Sequence, residues 1–440
     1  MTGTIAKSQM MGPWLTTGLV VGSMIGSGIF MLPVALAPLG FNAVIAWLVS
    51  IGGALSIAFA LARLSRVGGE GGIQAYIEQA FGPLTGFIIT WAFWVSSWVT
   101  TAAVAIAFGS AVSRINPMFG ANTVITLSIG TIAFLTAVNA LGVRVSGALN
   151  MVTIAIKLLP LLGAVVLLAL TAGAGTPLEP LAAVPMSIGA VATATTLTLF
   201  AMLGFENATA PVGKVRDPSR TLPRAILGGT ALVGLIYLMS SSAVLLLLPS
   251  QVVANSPAPF ADVFAASGGE ALVLFAAFAI AVSAFGANNC GILVTGELGY
   301  AMAKRRQLPP VMARTRGANT PVVAQVVAGG LSILLVLANS SRSTADLFTF
   351  TILLTTSATL FVYLAGAAAA WPHCKSLGAR IVLALAAVFI AFAFWGAGLE
   401  ANVWCLALLA FGLAVYAIMH RLNGRSTTPA LAPAPAAPAE

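Results

Sequence analysis

Two interrupted apolar stretches contain the residues whose types and spacing could do chemistry. The segment GSMIGSGIF at 22–30 places three glycines and two serines in a long apolar run, and MLGFENATAP at 202–211 places Glu206 beside glycine, asparagine and proline. An interior glycine costs a helix about 1 kcal/mol relative to alanine. Inside a membrane, backbone that leaves a helix is tolerated only where it lines a polar cavity or meets a ligand. Both stretches are therefore predicted to unwind around a bound molecule.

The unwound backbone predicts recognition of a zwitterion such as an α-amino acid. N–H groups after the first break begin a half-helix, whose positive dipole end suits a carboxylate, while carbonyl groups beside both breaks suit an ammonium. Glycine lets a ligand approach closely. The alternative for GSMIGSG is a close-packing surface of small residues, but the second break, with its carboxylate, favours a binding site. The predicted backbone contacts are Ser23, Met24, Ile25, Gly26, Ser27, Gly28, Ile29, Phe200 and Leu203.

The composition places these stretches in a membrane. Of 440 residues, 59% are hydrophobic and 7% are charged, and the mean hydropathy is +1.01. Such a chain cannot present enough polar surface to dissolve as a globule. No segment has the clustered basic and aromatic residues of a nucleic-acid surface. Three scattered cysteines and two histidines disfavour a disulfide framework and a metal site, so we expect no cofactor, no metal and no catalytic group.

A membrane-spanning helix needs about 20 apolar residues, and the chain offers twelve such segments. Seventeen Lys and Arg residues lie between segments on the side of the N-terminus, against Arg114 and Arg342 on the other side. Basic residues favour the cytoplasmic side, so both termini are predicted to be cytoplasmic, and the net charge of +9 reflects topology. The segments are 13–36, 40–62, 84–113, 122–142, 147–171, 187–209, 223–248, 270–303, 321–339, 345–371, 379–397 and 401–420.

The interrupted segments are the first and the sixth, which predicts internal symmetry. Because five is odd, a second unit of five spans would enter the membrane from the opposite face, and matching interruptions in inverted halves mark a substrate site at the midplane. The predicted fold class is an all-α integral membrane protein of twelve transmembrane helices in a five-plus-five inverted repeat. We expect a cytoplasmic N-terminus at 1–12, repeats at 13–171 and 187–371, helices 11 and 12 at 379–420, and a disordered Pro/Ala-rich tail at 421–440.

Four longer motifs follow one another along the chain. They are GSMIGSGIFMLP at 22–33, GGEGGIQAYIEQAFGPLTGF at 68–87, LFAMLGFENA at 199–208 followed by KVRDPSRTLPRAI at 214–226, and GYAMAKRRQLPPVMARTRGANTPVVA at 299–324. In that order they resemble the amino acid–polyamine–organocation transporter superfamily, and within it the bacterial basic amino acid/polyamine antiporters. The resemblance implies a leucine-transporter-like fold with discontinuous helices 1 and 6. It also implies that Ser27 and Gly28 hold a carboxylate, and that carbonyls of Met24, Phe200 and Leu203 hold an amine.

The residues that would recognise a substrate side chain depart from the arginine/agmatine exchanger of that superfamily. In that exchanger, as the resemblance implies, one side chain stacks on the guanidinium, a second hydrogen-bonds it and a third forms a middle gate. The matching positions here are Phe200, Thr101 and Gly291, respectively. Phenylalanine offers a weaker cation–π face than tryptophan. Thr101, with Ser96 and Ser97, could still accept hydrogen bonds. We therefore expect a neutral or small amino acid to bind at least as well as arginine or agmatine.

Ionisable residues inside spans are functional hypotheses, because burying them is costly. The resemblance implies that Glu206 couples protons to gating; the alternative is a carboxyl group with a structural role. It also implies that the Lys157 amine replaces a cation that sodium-coupled relatives bind at helix 5; the alternative is a lysine that reaches the membrane interface. Lys157 lies about 15 Å into its span, which is too deep to reach the interface easily. Phe93 and Tyr363 are candidate gate residues on the resemblance. Glu297 is expected to join a structural salt bridge or polar network.

Together these patterns predict a secondary transporter of amino acids in the inner membrane, rather than an enzyme, that works by proton-coupled symport or by exchange. One alternative is an arginine/agmatine or other cationic amino acid/polyamine antiporter. Another is a sensor or subunit that does not transport, which the short loops, about twenty residues at most, disfavour. The expected partners are an amino acid or polyamine, protons, the lipid bilayer and a second copy of the chain, with no nucleic acid.

Overall fold

The computed structural model describes residues 12–67, 72–116, 121–140, 148–209, 215–316 and 320–424. Within these ranges the chain is mostly helical, and an isolated β-bridge joins Arg316 and Thr320. The fifteen α-helices are α1 Pro13–Met24, α2 Gly28–Leu36, α3 Phe41–Val67, α4 Gly72–Phe81, α5 Pro83–Ile115, α6 Ala121–Ala140, α7 Ala148–Gly173, α8 Ile188–Met202, α9 Pro218–Leu247, α10 Ser250–Asn255, α11 Pro259–Asp262, α12 Ala265–Lys304, α13 Val322–Ala338, α14 Thr344–Ala370 and α15 Leu377–Gly424.

The first apolar segment is broken where the glycines and serines predict it. α1 ends at Met24 and α2 begins at Gly28, and the two helices meet at a bend of 48°. Between them the Gly26 amide donates to the Met24 carbonyl at 2.8 Å. Donor and acceptor are only two positions apart, so the backbone turns more tightly than in an α-helix. Ser27 precedes α2 without a side-chain cap.

The sixth apolar segment is broken at the predicted place as well. α8 ends at Met202, Leu203 is extended, and Gly204 takes φ +114°, a conformation that residues with a Cβ rarely adopt. A 3-10 turn then covers Phe205–Thr209. The segment that follows, 210–214, lies outside the described residues, as do the predicted N-terminus up to residue 11, residues 68–71 of the second long motif and the predicted tail from residue 425.

Nine helices within the described ranges are long and apolar enough to cross a membrane, or ten if the bent pair of α1 and α2 is one span. Two features separate this number from twelve. α13 has only 17 residues, and α15 runs over 48 residues with non-helical backbone at Gly398. The twelve spans and the inverted repeat stay predictions. Helical structure extends beyond the predicted segments in two places: α4 lies between the second and third segments, and α15 continues to Gly424 rather than ending at residue 420.

The helices pack in two groups around the breaks. In the first group, α3 packs against α8 and α9, and α9 packs against α1; in the second group, α5, α6, α12 and α13 all contact one another. α14 contacts both α5 and α8, and α7 lies against α9 and α12. The two broken segments belong to the first group. The candidate site therefore lies where this group meets α5 and α14.

Candidate functional site

The two breaks touch each other. The Ser23 hydroxyl in α1 donates to the Gly204 carbonyl over 2.8 Å. A Cβ on Gly204 would lie 2.6 Å from the Ser23 carbonyl oxygen, so glycine is required both for φ and for the close approach of the two backbones. Residues 181 positions apart in sequence thus form one unwound region.

Unpaired backbone N–H groups gather at the start of α2. Among the described residues, the amides of Ser27, Gly28 and Ile29 have no hydrogen-bond acceptor, as expected at a helix N-terminus. The Ser27 hydroxyl is also buried without a partner. These donors stand at the positive end of the α2 dipole, and the arrangement can therefore bind a carboxylate. The residues are those that the sequence predicts for that role.

The carbonyl side of the site is more occupied than the sequence suggests. The Met24 carbonyl accepts hydrogen bonds from the Tyr237 hydroxyl at 2.9 Å and from the Gly26 amide at 2.8 Å. A substrate ammonium at Met24 would compete with both donors. The Phe200 carbonyl accepts one bond, from the Leu203 amide at 3.2 Å. Sequence reasoning missed Tyr237, whose signal was a lone tyrosine in an apolar helix.

Phe200 forms one wall of the site beside Gly28. An added Cβ on Gly28 would collide with the Phe200 ring, so the half-helix and the ring are already in contact. The ring packs at right angles against Phe348 of α14, with 6.4 Å between centroids. Sequence reasoning missed Phe348, because an aromatic residue in a span is usually part of the packed interior.

Three hydroxyl-bearing residues lie close together along α5. The Ser96 and Ser97 hydroxyls both donate to the Phe93 carbonyl, and the Thr101 hydroxyl donates to the Ser97 carbonyl. With their protons used inside the helix, these oxygens can act only as acceptors, which suits an N–H donor rather than a carboxylate. Gly291 of α12 lies opposite, because a Cβ there would be 3.3 Å from Thr101 Oγ1. The structure thus brings the predicted pair Thr101 and Gly291 together.

Glu206 and Tyr363 also meet. Glu206 Oε2 accepts the Gly204 amide at 3.0 Å and the Tyr363 hydroxyl at 2.8 Å, and all three residues are buried. The Tyr363 ring stacks on Phe205, with 5.4 Å between centroids. The carboxyl group therefore joins the break after α8 to α14, next to the unwound region. This contact links the break directly to the helix that bears Phe348.

The remaining predicted residues differ in burial and in the partners they have. Lys157 in α7 is 3% exposed, and it has no ion-pair partner among the described residues; the Cys290 thiol of α12 is within electrostatic range. Phe93 is half-buried on α5, and Ile25 is fully buried in the first break. Glu297, expected to join a salt bridge, is exposed and forms none in the part of the chain that the structure describes. No three His, Cys, Asp or Glu side chains of the described ranges could hold a metal ion.

A cavity of about 490 Å³ lies between α2, α5, α10 and the start of α14. Its walls include Met31 of α2, Arg114 of α5 and Thr344 of α14, one turn from Phe348. Arg114 forms ion pairs with Asp262 at 2.6 Å and Glu270 at 3.1 Å, next to this cavity.

Comparison with known proteins agrees with the geometry. The sequence profile of a family described as "Amino acid permease" matches residues 11–419. The chain is 33% identical over 271 residues to the putrescine transporter PotE of Escherichia coli, covering 59% of this chain and 60% of that relative. It is 28% identical over 349 residues to PotE of Haemophilus influenzae, covering 77% and 78%. It is 30% identical over 358 residues to the cadaverine/lysine antiporter of Escherichia coli, covering 78% and 79%.

The profile match extends over both breaks and the walls of the site, and the similar proteins are transporters. The resemblance to the amino acid–polyamine–organocation superfamily is therefore confirmed. So is the prediction of a transporter rather than an enzyme, and the many apolar helices are those of a multi-pass membrane protein. The chain belongs to the amino acid permease family of membrane transporters.

Proposed function

We propose that the protein moves amino acids across the cytoplasmic membrane by alternating access, with the substrate held between the two helix breaks. The observation that carries the proposal is the row of unpaired amides at Ser27, Gly28 and Ile29, which faces Phe200 and lies beside the second break. Such donors in a water-poor region favour an anionic group. Family membership supports transport, and this arrangement supports a substrate that carries a carboxylate.

The substrate's amino group would lie at the carbonyls of Phe200 and Leu203, because the Met24 carbonyl is already used by Tyr237 and Gly26. The second candidate is exchange of a cationic amino acid for a polyamine. It is favoured by the names of relatives, a putrescine transporter and a cadaverine/lysine antiporter. A diamine has no carboxylate for the α2 amides, so the geometry favours an amino acid in at least one direction.

Transport would follow from relative motion of the two helix groups. The group of α1, α2, α3, α8 and α9 would rock against α5, α6, α12 and α13 around the site. We propose that these are parts of two inverted repeats, at 13–171 and 187–371, in a protein of twelve spans with cytoplasmic termini that can pair as a homodimer. The separate packing of the two helix groups supports this motion.

Two buried ionisable residues are proposed to couple protons to the cycle. The Lys157 ammonium would take the place of a bound cation and tie α7 to the first break, since desolvation penalises the ammonium and lets it lose its proton during the cycle. Glu206 would act at the substrate side, because its carboxyl group links the second break to Tyr363. The two residues should therefore fail in different ways.

Radiolabelled uptake into proteoliposomes tests the proposal. One set of vesicles has an imposed pH gradient and another is loaded with internal amino acid. We expect no dependence on sodium, loss of pH-driven accumulation in Lys157→Ala, and altered pH sensitivity of exchange in Glu206→Gln. Uptake that requires internal substrate and ignores the gradient would identify an exchanger in which Lys157 is a fixed charge. Stimulation by sodium, or no uptake of any amino acid, would contradict the proposal.

A further inference from the structure

An asparagine near the site has no hydrogen-bond partner. The Asn288 side chain in α12 is fully buried, and neither its Nδ2 nor its Oδ1 has a partner among the described residues. Burying a carboxamide without partners is costly, and buried polar groups in native proteins are nearly always paired. A group that the protein itself does not supply is therefore expected to meet this side chain.

The helical register directs Asn288 toward α5. Gly291 and Thr295 follow at positions i+3 and i+7, which share a helix face with residue i. Gly291 lies opposite Thr101 of α5, and the Thr295 carbonyl accepts the indole N–H of Trp94 of α5 at 3.2 Å. Asn288 stands one turn from Gly291, a rise of about 4.5 Å. It thus lies one turn from the contact between Gly291 and Thr101.

The neighbouring asparagine shows what a structural role looks like in the same helix. Asn289 Oδ1 accepts a 2.7 Å hydrogen bond from Asn139 Nδ2 of α6, and this bond joins two helices of the same group. Asn288 points to a different face and joins nothing described. Two adjacent residues of one type therefore differ in whether the fold uses their side chains.

We propose that Asn288 is a specificity-determining residue that binds the terminal nitrogen of the substrate side chain. Its Oδ1 would accept an N–H from a terminal ammonium or carboxamide, and Thr101 Oγ1, whose proton goes to Ser97, would accept a second. The favoured substrates are then amino acids with a nitrogen at the end of the side chain. This inference rests on the proposed function, since it needs the amino acid's carboxylate at the α2 amides.

Competition binding tests the inference with three ligands: lysine, glutamine and norleucine, whose unbranched side chain has no nitrogen. The purified wild-type protein should bind lysine or glutamine about tenfold or more tightly than norleucine, the gain expected from a buried hydrogen bond. Asn288→Leu should reduce that ratio to about one and leave norleucine affinity unchanged. Asn289→Leu is the matched control, and it should lower thermal stability while keeping the wild-type ratio.

Asn288→Thr, which keeps a smaller hydrogen-bonding group, is measured beside the leucine variant. It should lower the ratio of lysine or glutamine affinity to norleucine affinity only in part. If one variant fails to fold, the other still tests the inference. An unchanged ratio in the Asn288 variants that fold would overturn the inference, and would mean that the side chain holds only buried water. Wild-type protein that binds amino acids but does not distinguish norleucine from the others would overturn it too. Wild-type protein that binds another amino acid but none of these three would overturn the inference and leave the proposed function standing, whereas protein that binds no amino acid would overturn both.

Discussion

Substitution of Gly28 by alanine separates two physical effects that have opposite signs. Alanine is the better helix former, by about 1 kcal/mol, so helix propensity alone would stabilise α2. The added Cβ, however, would collide with Cε1 of Phe200 and lie 3.2 Å from Cζ, and Phe200 is itself held against Phe348. Overpacking of this kind costs roughly 1–3 kcal/mol. The clash should outweigh the propensity and push the ring into the substrate space.

We expect Gly28→Ala to lower substrate affinity by roughly fivefold to a hundredfold, since 1.4 kcal/mol corresponds to a factor of ten. Gly28→Val, which is branched, should abolish uptake and leave the protein inserted. The assay is a thermal-shift screen of purified protein against the common amino acids and polyamines, in which a ligand at a hundred times its dissociation constant adds about 2.7 kcal/mol to the folded state.

Gly18→Ala is the matched control, because it lies in α1 outside the break and its added Cβ would meet nothing within 4 Å. Pairing Gly28→Ala with Phe200→Leu should recover part of the lost stability by removing the ring. If Gly28→Ala binds substrate as tightly as Gly18→Ala does, the contact between the α2 start and Phe200 plays no part in binding and the reasoning is refuted.

Two further predictions concern the second break. Gly204→Ala should reduce the free energy of unfolding by roughly 1–3 kcal/mol, because it combines positive φ with a Cβ 2.6 Å from the Ser23 carbonyl oxygen. Gly189→Ala, with open space around it, should be neutral. Equal melting temperatures of the two variants would argue against contact between the breaks. Tyr363→Phe removes the hydroxyl that donates to Glu206, and it should slow exchange while substrate affinity changes little. Unchanged turnover in proteoliposomes would exclude a gating role for this bond.

The backbone part of the site could be predicted from the sequence. Glycine and serine inside an apolar run weaken a helix at once, and the N–H groups that follow the break lack partners by the geometry of any helix start. Ser27 and Gly28 therefore needed only their local neighbours to be identified. The pairing of Gly204 with Glu206 is local too, because donor and acceptor are only two positions apart in the sequence.

The partners supplied by distant helices could not be predicted. Tyr237 contacts Met24 across 213 positions, and nothing in either segment indicates that the Met24 carbonyl is already used. Phe348 is one aromatic residue among many in the spans, and its packing on Phe200 depends on how α14 approaches α8. Asn288 and Asn289 are indistinguishable in sequence, and only the helix face that each occupies separates them.

A structure of the protein with a bound amino acid tests the central claim most directly. We expect the ligand to lie between the breaks, with its carboxylate within hydrogen-bond distance of the Ser27 and Gly28 amides and its amino group near the Phe200 and Leu203 carbonyls. A ligand seated elsewhere, such as in the cavity beside Arg114, with the α2 amides still unpaired, would contradict it.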